Sequence, residues 1–141
     1  MPTNTAGNSG YLPPSENGPF KIGKTVVYSD WTTANARVTI GVLPPRSIVT
    51  GGGIWVVTSF NDTNGDDLDV GVSGGDDDWF ASAIDLNTGS SLGTLDDLTD
   101  AERYSASART VTANFTTAAS GNGTTGEAHV WLEYVVAPAR S

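Results

Sequence analysis

The sequence contains no cysteine, one histidine, one methionine and seven basic residues among its 141 residues. Without cysteine there is no disulfide and no thiolate chemistry, so the fold has to be held together by its core. A chain of this length is expected to form one domain, and such a domain buries roughly two-thirds of its unfolded surface. We therefore expect a single domain that needs no covalent cross-links.

Positive charge is also scarce, since the seven Lys and Arg residues are scattered and the formal net charge is −9. A nucleic-acid partner requires clustered basic residues that neutralise phosphates, so we expect none here. No apolar run approaches the ~20 residues of a membrane-spanning helix, and the first residues lack the charged and apolar regions of a signal peptide. We therefore expect no membrane partner.

What the sequence does contain is alternation of apolar and polar residues, the pattern of half-buried β-strands. It is strongest in residues 46–73, around which the chain is organised. Two alternating runs are separated there by residues 61–66, which are rich in Asn, Asp and Gly and accept turn conformations. This stretch predicts a β-hairpin.

Three consecutive glycines, residues 51–53, lie within the first of these two runs. Glycine inside a strand marks a bend, a bulge or a close backbone approach. We therefore expect a long strand that turns a corner and contributes to two sheets. Uninterrupted alternation would place Ile48 with Ile54 and Val56 on one face, and Trp55 and Val57 on the other.

Four other segments alternate in the same way, at residues 24–29, 36–43, 106–117 and 126–137. In the second, Val38, Ile40 and Val42 are predicted to face inward. Residues 79–86 fit either a short helix capped by Asp78 or an edge strand. Residues 87–103 are the least determined, although Asp97 or Asp100 could cap one turn of helix.

The tally is about eight strands with frequent turn signals and no long helix, so the predicted fold is all-β with two packed sheets. Long connections favour a jelly roll, and an aligned sandwich of immunoglobulin type is the alternative. Residues 20–141 would form this domain. Residues 1–19, rich in Pro, Gly, Asn and Ser, would form either a flexible tail or an extended N-terminal arm that orders on a neighbour. We adopt the arm, in which the residues suited to contact are Tyr11, Leu12, Pro13 and Pro14.

No catalytic, metal or cofactor site is predicted. The single histidine, His129, lies inside a strand, and a hydrolytic triad needs a base placed beside its nucleophile. The many carboxylates fall in loops, where they are usually solvated. Asp62, Asn64 and Asp66 alternate like the first ligands of a calcium loop, but the glycine and glutamate that complete such a loop are missing.

The tryptophans suggest a binding surface. Trp55 and Trp131 fall on the strand faces opposite the main apolar ones, together with Val57 and Val135. An outer face this apolar usually marks an interaction surface, and exposed indoles also stack on sugar rings. We interpret these four residues as a candidate subunit or capsid interface, with the arm residues as its second part.

Several segments carry a resemblance to a known family: KTVVY at 24–28, LPPRSIVT at 43–50, IWVVTSF at 54–60 followed by Asn61-Asp62, LDVG at 68–71, WFA at 79–81 and VWLEYVV at 130–136. From residue 21 to 137 the chain resembles small structural proteins of tailed bacteriophages. It is most similar to capsid decoration, or cement, proteins with a jelly-roll core.

This resemblance implies a homotrimer on the outer capsid surface, made in the host bacterial cytoplasm, with an N-terminal arm that reaches a neighbouring subunit or the shell. The expected function is non-enzymatic: the protein would clamp subunits of the major capsid protein. Two other classes stay open, namely a carbohydrate- or receptor-binding module of a phage fibre and a polysaccharide-active enzyme.

Overall fold

The computed structural model describes residues 19–31, 36–63, 67–88, 91–93, 95, 98–116 and 122–138. Within them lie nine strands: β1 (Phe20–Val27), β2 (Arg37–Leu43), β3 (Ser47–Thr58), β4 (Asp67–Val72), β5 (Ala81–Asp85), β6 (Ser91–Gly93), β7 (Tyr104–Ser105), β8 (Arg109–Phe115) and β9 (Glu127–Val136). A 3-10 turn covers Tyr28–Asp30, and one helical turn, α1, covers Asp100–Arg103.

The strands form two antiparallel sheets. The first has the order β1-β9-β3-β6, with the short β7 also paired to β3, and the second has the order β2-β8-β4-β5. This interleaving, in which strands near the two ends of the domain pair with each other, is the jelly-roll arrangement. The predicted all-β, two-sheet fold is confirmed, and the short strands β6 and β7 lie outside the segments predicted as strands.

The core lies between the inner faces of the two sheets and is entirely aliphatic and aromatic at its centre. Its largest fully buried side chains include Phe80, Phe115, Leu43 and Leu132. Trp31 extends this core, because its ring stacks on Phe115 with 5.4 Å between centroids and 5° between planes. Trp31 is therefore a packing residue and contributes nothing to an outer binding surface.

The predicted hairpin in residues 46–73 is wrong. β3 pairs with β6, β7 and β9, whereas β4 pairs with β5 and β8 in the other sheet. The chain therefore passes from the first sheet to the second between β3 and β4. Alternation reports that each strand buries one face, but two strands that face each other across a core show the same pattern as two that pair side by side.

The expectation that β3 turns a corner into the second sheet is also wrong, but the expected bulge is present. The pairing of β3 with β9 shifts by one residue between Val49 and Gly51, and Gly52 adopts a φ of 142°. An extra residue reverses which side chains face inward. Val49 and Ile54 are consequently both buried, and Ile48 lies on the outer face.

A second register shift explains another wrong assignment. β2 shifts against β8 between Thr39 and Gly41, so that Leu43 is buried and Val42 is 53% exposed. Gly41 then faces inward, where a β-carbon would lie 2.9 Å from Cβ of Ile22 on β1. The two sheets approach closely at this corner because glycine leaves room for Ile22.

The two undetermined segments are settled by local hydrogen bonds. Residues 81–85 form edge strand β5, in which Ala83 has a φ of 52° and donates its N–H to Oδ1 of Asp69 at 2.7 Å. The predicted turn of helix is present as α1, which begins at Asp100. Its N-cap is Thr99, which donates its backbone N–H to Oε2 of Glu102 at 3.0 Å, so the prediction that Asp100 caps the turn is wrong. Asp97, the other predicted cap, lies outside the described residues.

Candidate interaction surface on the first sheet

The outer face of the first sheet presents its side chains in rows set by the strand register. Thr25, His129, Trp55 and Leu92 lie side by side on β1, β9, β3 and β6. In the next row, Trp131 on the central strand has a glycine on each neighbouring strand. This row places a large indole between two positions without side chains.

Those two glycines, Gly23 and Gly53, make room for Trp131. A β-carbon at Gly53 would lie 3.0 Å from Cη2 of Trp131 and 3.2 Å from Cδ1 of Leu92. At Gly23 it would lie 3.2 Å from Cβ of Trp131. The indole therefore lies against the backbone of β3 and is half-buried rather than projecting into solvent. Glycine in a strand here serves a close approach by an aromatic ring.

Three of the four strand residues predicted for the interface cluster at this end of the sheet. Trp55 is 40% exposed, Val57 lies exposed at the second bulge of β3, and Trp131 is half-buried between them and β1. Leu92, which is 58% exposed, extends the cluster onto β6. We call Trp55, Val57, Leu92 and Trp131 the apolar face.

Val135 lies apart from this group. It is paired with Ile48, which in turn is paired with Tyr104 of β7, so these three form a second apolar row at the other end of the sheet. The row of Lys21 and Glu133 separates it from the apolar face, and their side chains form an ion pair at 3.5 Å. The predicted four residues thus occupy one side of one sheet but not one continuous patch.

His129 lies beside the apolar face, with Thr25 Oγ1 2.7 Å from its Nδ1 and Glu127 Oε2 3.9 Å from its Nε2. The order hydroxyl, imidazole and carboxylate is that of a hydrolytic triad. However, the carboxylate is too far for a hydrogen bond, and all three groups are solvent-accessible on a flat sheet. This arrangement provides no activated nucleophile.

Part of the outer face of the second sheet, around Gly71, is covered by the protein's own chain, whereas Thr39 and Val42 on β2 stay exposed. Residues 73–80 fold over β4, and a β-carbon at Gly71 would overlap the carbonyl groups of Asp76 and Asp77. The segment is fastened by Arg37 of β2, whose two terminal nitrogens donate to both carboxylate oxygens of Asp77 at 2.5 and 2.6 Å. These hydrogen bonds lower the pKa of Asp77 and raise that of Arg37.

Beneath this cover lie two polar residues of β8, Thr112 and Asn114, which are buried although they point away from the core. Thr112 Oγ1 and Asn114 Oδ1 have no hydrogen-bond partner among the described residues. We call this surface, with residues 73–80 above it, the covered face. It contrasts with the apolar face, which no described part of the chain covers.

The remaining predicted site residues, Tyr11, Leu12, Pro13 and Pro14, lie outside the described residues, as do Asn64 and Asp66 of the calcium-like pattern. Sequence reasoning missed Leu92, which falls in the least determined segment, and Tyr104. It also missed Ile48, because the bulge at Gly51 moves this residue to the outer face.

Two absences hold for the described part of the chain. There, no three His, Asp or Glu side chains come together in a way that could hold a metal ion. No helix within these ranges has the length and apolar character that crossing a membrane requires.

The geometry defines a jelly-roll sandwich with one outer face covered and the other open. The same fold occurs in a chain of the solved capsid of Ralstonia phage GP4, which is 13% identical, with a TM-score of 0.61 over 94% of this chain and 93% of that one. It also occurs in the capsid asymmetric unit of cyanophage Pam1, at 22% identity and a TM-score of 0.62 over 97% of this chain and all of that one. No protein-family model and no curated protein matches the chain.

Proposed function

We propose that the chain is a non-enzymatic virion structural protein that binds the outer surface of a phage capsid and stabilises it by bridging subunits of the major capsid protein. The support is the shared fold. Both similar structures are phage capsids, and the likeness extends over nearly the whole length of both chains. The sequence resemblance described above points to the same class of protein.

The observation that carries the proposal is the apolar face. Two indoles, Leu92 and Val57 stand on one side of a sheet whose opposite side already packs the core. Tryptophan is enriched among residues that dominate binding energy, and a contiguous apolar surface of this kind usually marks an interaction site. A partner that covers this face removes it from water.

We also propose that copies of the chain associate as a homotrimer. Closed symmetry allows one patch on each copy to be buried without leaving an unpaired copy at an end. The second apolar row, Val135, Ile48 and Tyr104, offers a separate contact on the same side of the sheet. In this arrangement the covered face, with Asp76, Asp77 and Asp78 above it, faces solvent and keeps the acidic surface away from the shell.

Residues 1–19 are the second part of this proposal. They form an arm with too few apolar groups to fold alone, and Tyr11, Leu12, Pro13 and Pro14 would engage a neighbouring copy or the shell. Several arms that engage together add avidity. Deleting residues 1–19 should leave the circular dichroism spectrum unchanged and sharply reduce occupancy of the shell. Equal occupancy of the shell by the truncated and the full-length protein would show that residues 1–19 do not contribute to binding.

The decisive experiment adds purified protein to undecorated shells of the virus that carries this chain. Trp55→Ser should lower the affinity about 30-fold, the loss of roughly 2 kcal/mol typical of a dominant interface residue. Val42→Ser is the matched control, since Val42 is 53% exposed but lies on the second sheet. Wild-type affinity for Trp55→Ser, or a monomer at micromolar concentration in light scattering, would contradict the proposal.

An alternative function is carbohydrate or receptor binding by a phage fibre module. It is favoured by the position of Trp131, whose indole lies against the glycine backbone with Trp55 in the adjacent row, because a sugar ring stacks on an indole held in this way. A glycan array separates the two functions. Retention that depends on both tryptophans would favour the alternative, and no retention would favour the capsid role.

A further inference from the structure

We propose that the apolar face is occupied by residues 11–14 of a neighbouring copy of the same chain. This inference rests on the proposed function, in which copies lie side by side. It assigns a specific partner to a surface that otherwise has only a class of partner.

The chemistry of the two surfaces is complementary. Tyr11, Leu12, Pro13 and Pro14 form the one compact apolar group of residues 1–19. Proline-rich segments bind aromatic-lined surfaces, because their rings pack on aromatic faces and a restricted backbone loses little entropy on docking. The apolar face offers two indoles, and Leu92 on β6 lies opposite Trp55 on β3. A short segment of this composition fits such a shallow surface.

Charge does not oppose this contact. The chain as a whole carries −9, so two copies would repel each other if their acidic loops met. Residues 1–19 contain a single charged side chain, Glu16. Among the described residues, the charged groups next to the apolar face are Lys21 and Glu133, which neutralise each other, and Glu127 beside His129. The arm is therefore the part of the chain that approaches a second copy at the lowest electrostatic cost.

The direction of β1 favours a neighbouring copy over the chain's own face. β1 starts at Phe20, opposite Tyr134, and runs towards Thr25, which shares its row with Trp55. The residues before Phe20 therefore leave the sheet at the end away from Trp55. An arm that kept the direction set by Pro19 and Phe20 would lead away from its own apolar face and towards another copy.

A reversed path would bring the prolines to the wrong place. Trp55 lies five residues along and two strands across from Phe20, roughly 20 Å away from the spacing within and between strands. A turn through residues 16–19 would leave Pro13 and Pro14 only about 10–13 Å of extended chain. The own-chain prolines could then reach Trp131, which lies three residues along and one strand across from Phe20, about 11 Å away, but they would stop short of Trp55 and Leu92. In a closed ring, each arm instead engages the next copy, and all contacts form together.

The absence of cysteine provides a clean test in the full-length chain. The variant Leu12→Cys/Leu92→Cys should form disulfides between copies on mild oxidation, because a disulfide needs Cα atoms only about 4–7 Å apart. The control is Leu12→Cys/Val42→Cys, in which the second cysteine has similar exposure on the other sheet. We expect cross-linked oligomers on non-reducing gels to form at least ~10-fold faster for Leu92, from the effective concentration of a docked segment.

Equal rates for the two variants would overturn the proposal, and a cross-linked monomer would show that the arm folds onto its own sheet, which also overturns it. A second measurement uses no cysteine. Leu12→Ser and Trp55→Ser should each weaken self-association, and the double variant should be no weaker than the worse single one. Additive effects would contradict the contact.

Both measurements use the free protein, so they fail or succeed independently of the capsid role. Cross-linking at Leu92 with no binding to shells would contradict the proposed function and support the arm contact. Shell binding without cross-linking would do the reverse.

Discussion

The two outer faces of the sandwich differ in how far the protein's own chain shields them from solvent. On the second sheet, the chain covers the face itself, with residues 73–80 resting on the backbone at Gly71 and fastened by Arg37 and Asp77. On the first sheet, Trp131 lies over Gly53, but the face stays apolar and open. This difference supports the proposal that the exposed apolar side binds a partner.

The glycines on the two faces show the same difference at atomic scale. A side chain added at Gly71 would meet backbone carbonyls, whereas one added at Gly53 would meet the ends of the Trp131 and Leu92 side chains. Backbone cannot yield without moving a whole segment, but the end of a side chain can shift. An added methyl group should therefore cost less at Gly53 than at Gly71.

The largest effect is expected from Gly71→Ala. The added methyl group overlaps the carbonyls of Asp76 and Asp77, so residues 73–80 must move away from β4. The free energy of unfolding should fall by an amount near the upper end of the roughly 1–3 kcal/mol typical of overpacking. Gly53→Ala should cost clearly less, and Gly75→Ala, where the nearest atoms are 3.6 Å away, should be nearly neutral. Urea denaturation measures all three. A cost for Gly53→Ala that matched Gly71→Ala would remove the contrast between the faces.

A smaller effect of the opposite sign is expected from Thr112→Val. The Thr112 hydroxyl is buried beneath the covered face without a partner among the described residues, so replacing it with a methyl group removes an uncompensated polar group. The gain should be about 1 kcal/mol in the free energy of unfolding. Thr39→Val is the control, because Thr39 sits opposite Thr112 on β2 and is exposed. Destabilisation by Thr112→Val would reveal that the hydroxyl is bonded, for example to a buried water.

The smallest effect concerns pH. The hydrogen bonds from Arg37 hold the pKa of Asp77 below its ordinary value of 3.8, so this pair contributes stability that is complete above that value and is lost as pH falls through the lower folded-state pKa. Because the pair is exposed, its contribution should stay below about 1 kcal/mol. Thermal melts from pH 6 to pH 2 should show a shallower acid loss for Asp77→Asn.

Asp76→Asn is the contrasting variant in that experiment. A hydrogen bond with Asp78 raises the pKa of Asp76, so its ionised form is disfavoured in the folded state and the acid loss should persist when it is removed. An equally shallow profile for both variants would assign the acid sensitivity to the loop's overall charge.

The all-β fold was predictable from the sequence because alternation of apolar and polar residues indicates a strand with one buried face. In β8 and β9 the predicted face is the buried one. The prediction failed where one extra residue reversed the alternation, at Thr50 in β3 and at Ile40 in β2. No local pattern reports such a shift, since it depends on the strand that pairs alongside. The apolar face was partly predictable for the same reason: Trp55 and Trp131 lie in regular stretches, and Ile48 lies beyond the bulge.

The closing of residues 73–80 over the second sheet could not be predicted. Its cause is the overlap at Gly71 and the reach of Arg37 from another strand, and neither has a signature in nearby sequence. Composition indicated only that an acidic loop was present. Trp31 likewise gave no sign of stacking on Phe115, because the two are far apart along the chain.

The position of β9 bears on how the protein is made. Among the described strands, β1 pairs only with β9, and Phe20 pairs with Tyr134, so the strand that follows the arm waits for almost the whole domain to be synthesised before it gains a partner within its sheet. Pairing between segments so distant in sequence is slow, and the unpaired edge is exposed in the meantime. The same strand supplies Trp131. A nascent or prematurely terminated chain thus lacks both a closed first sheet and the surface that we assign to partners, and under the proposed function only chains that have completed folding would assemble.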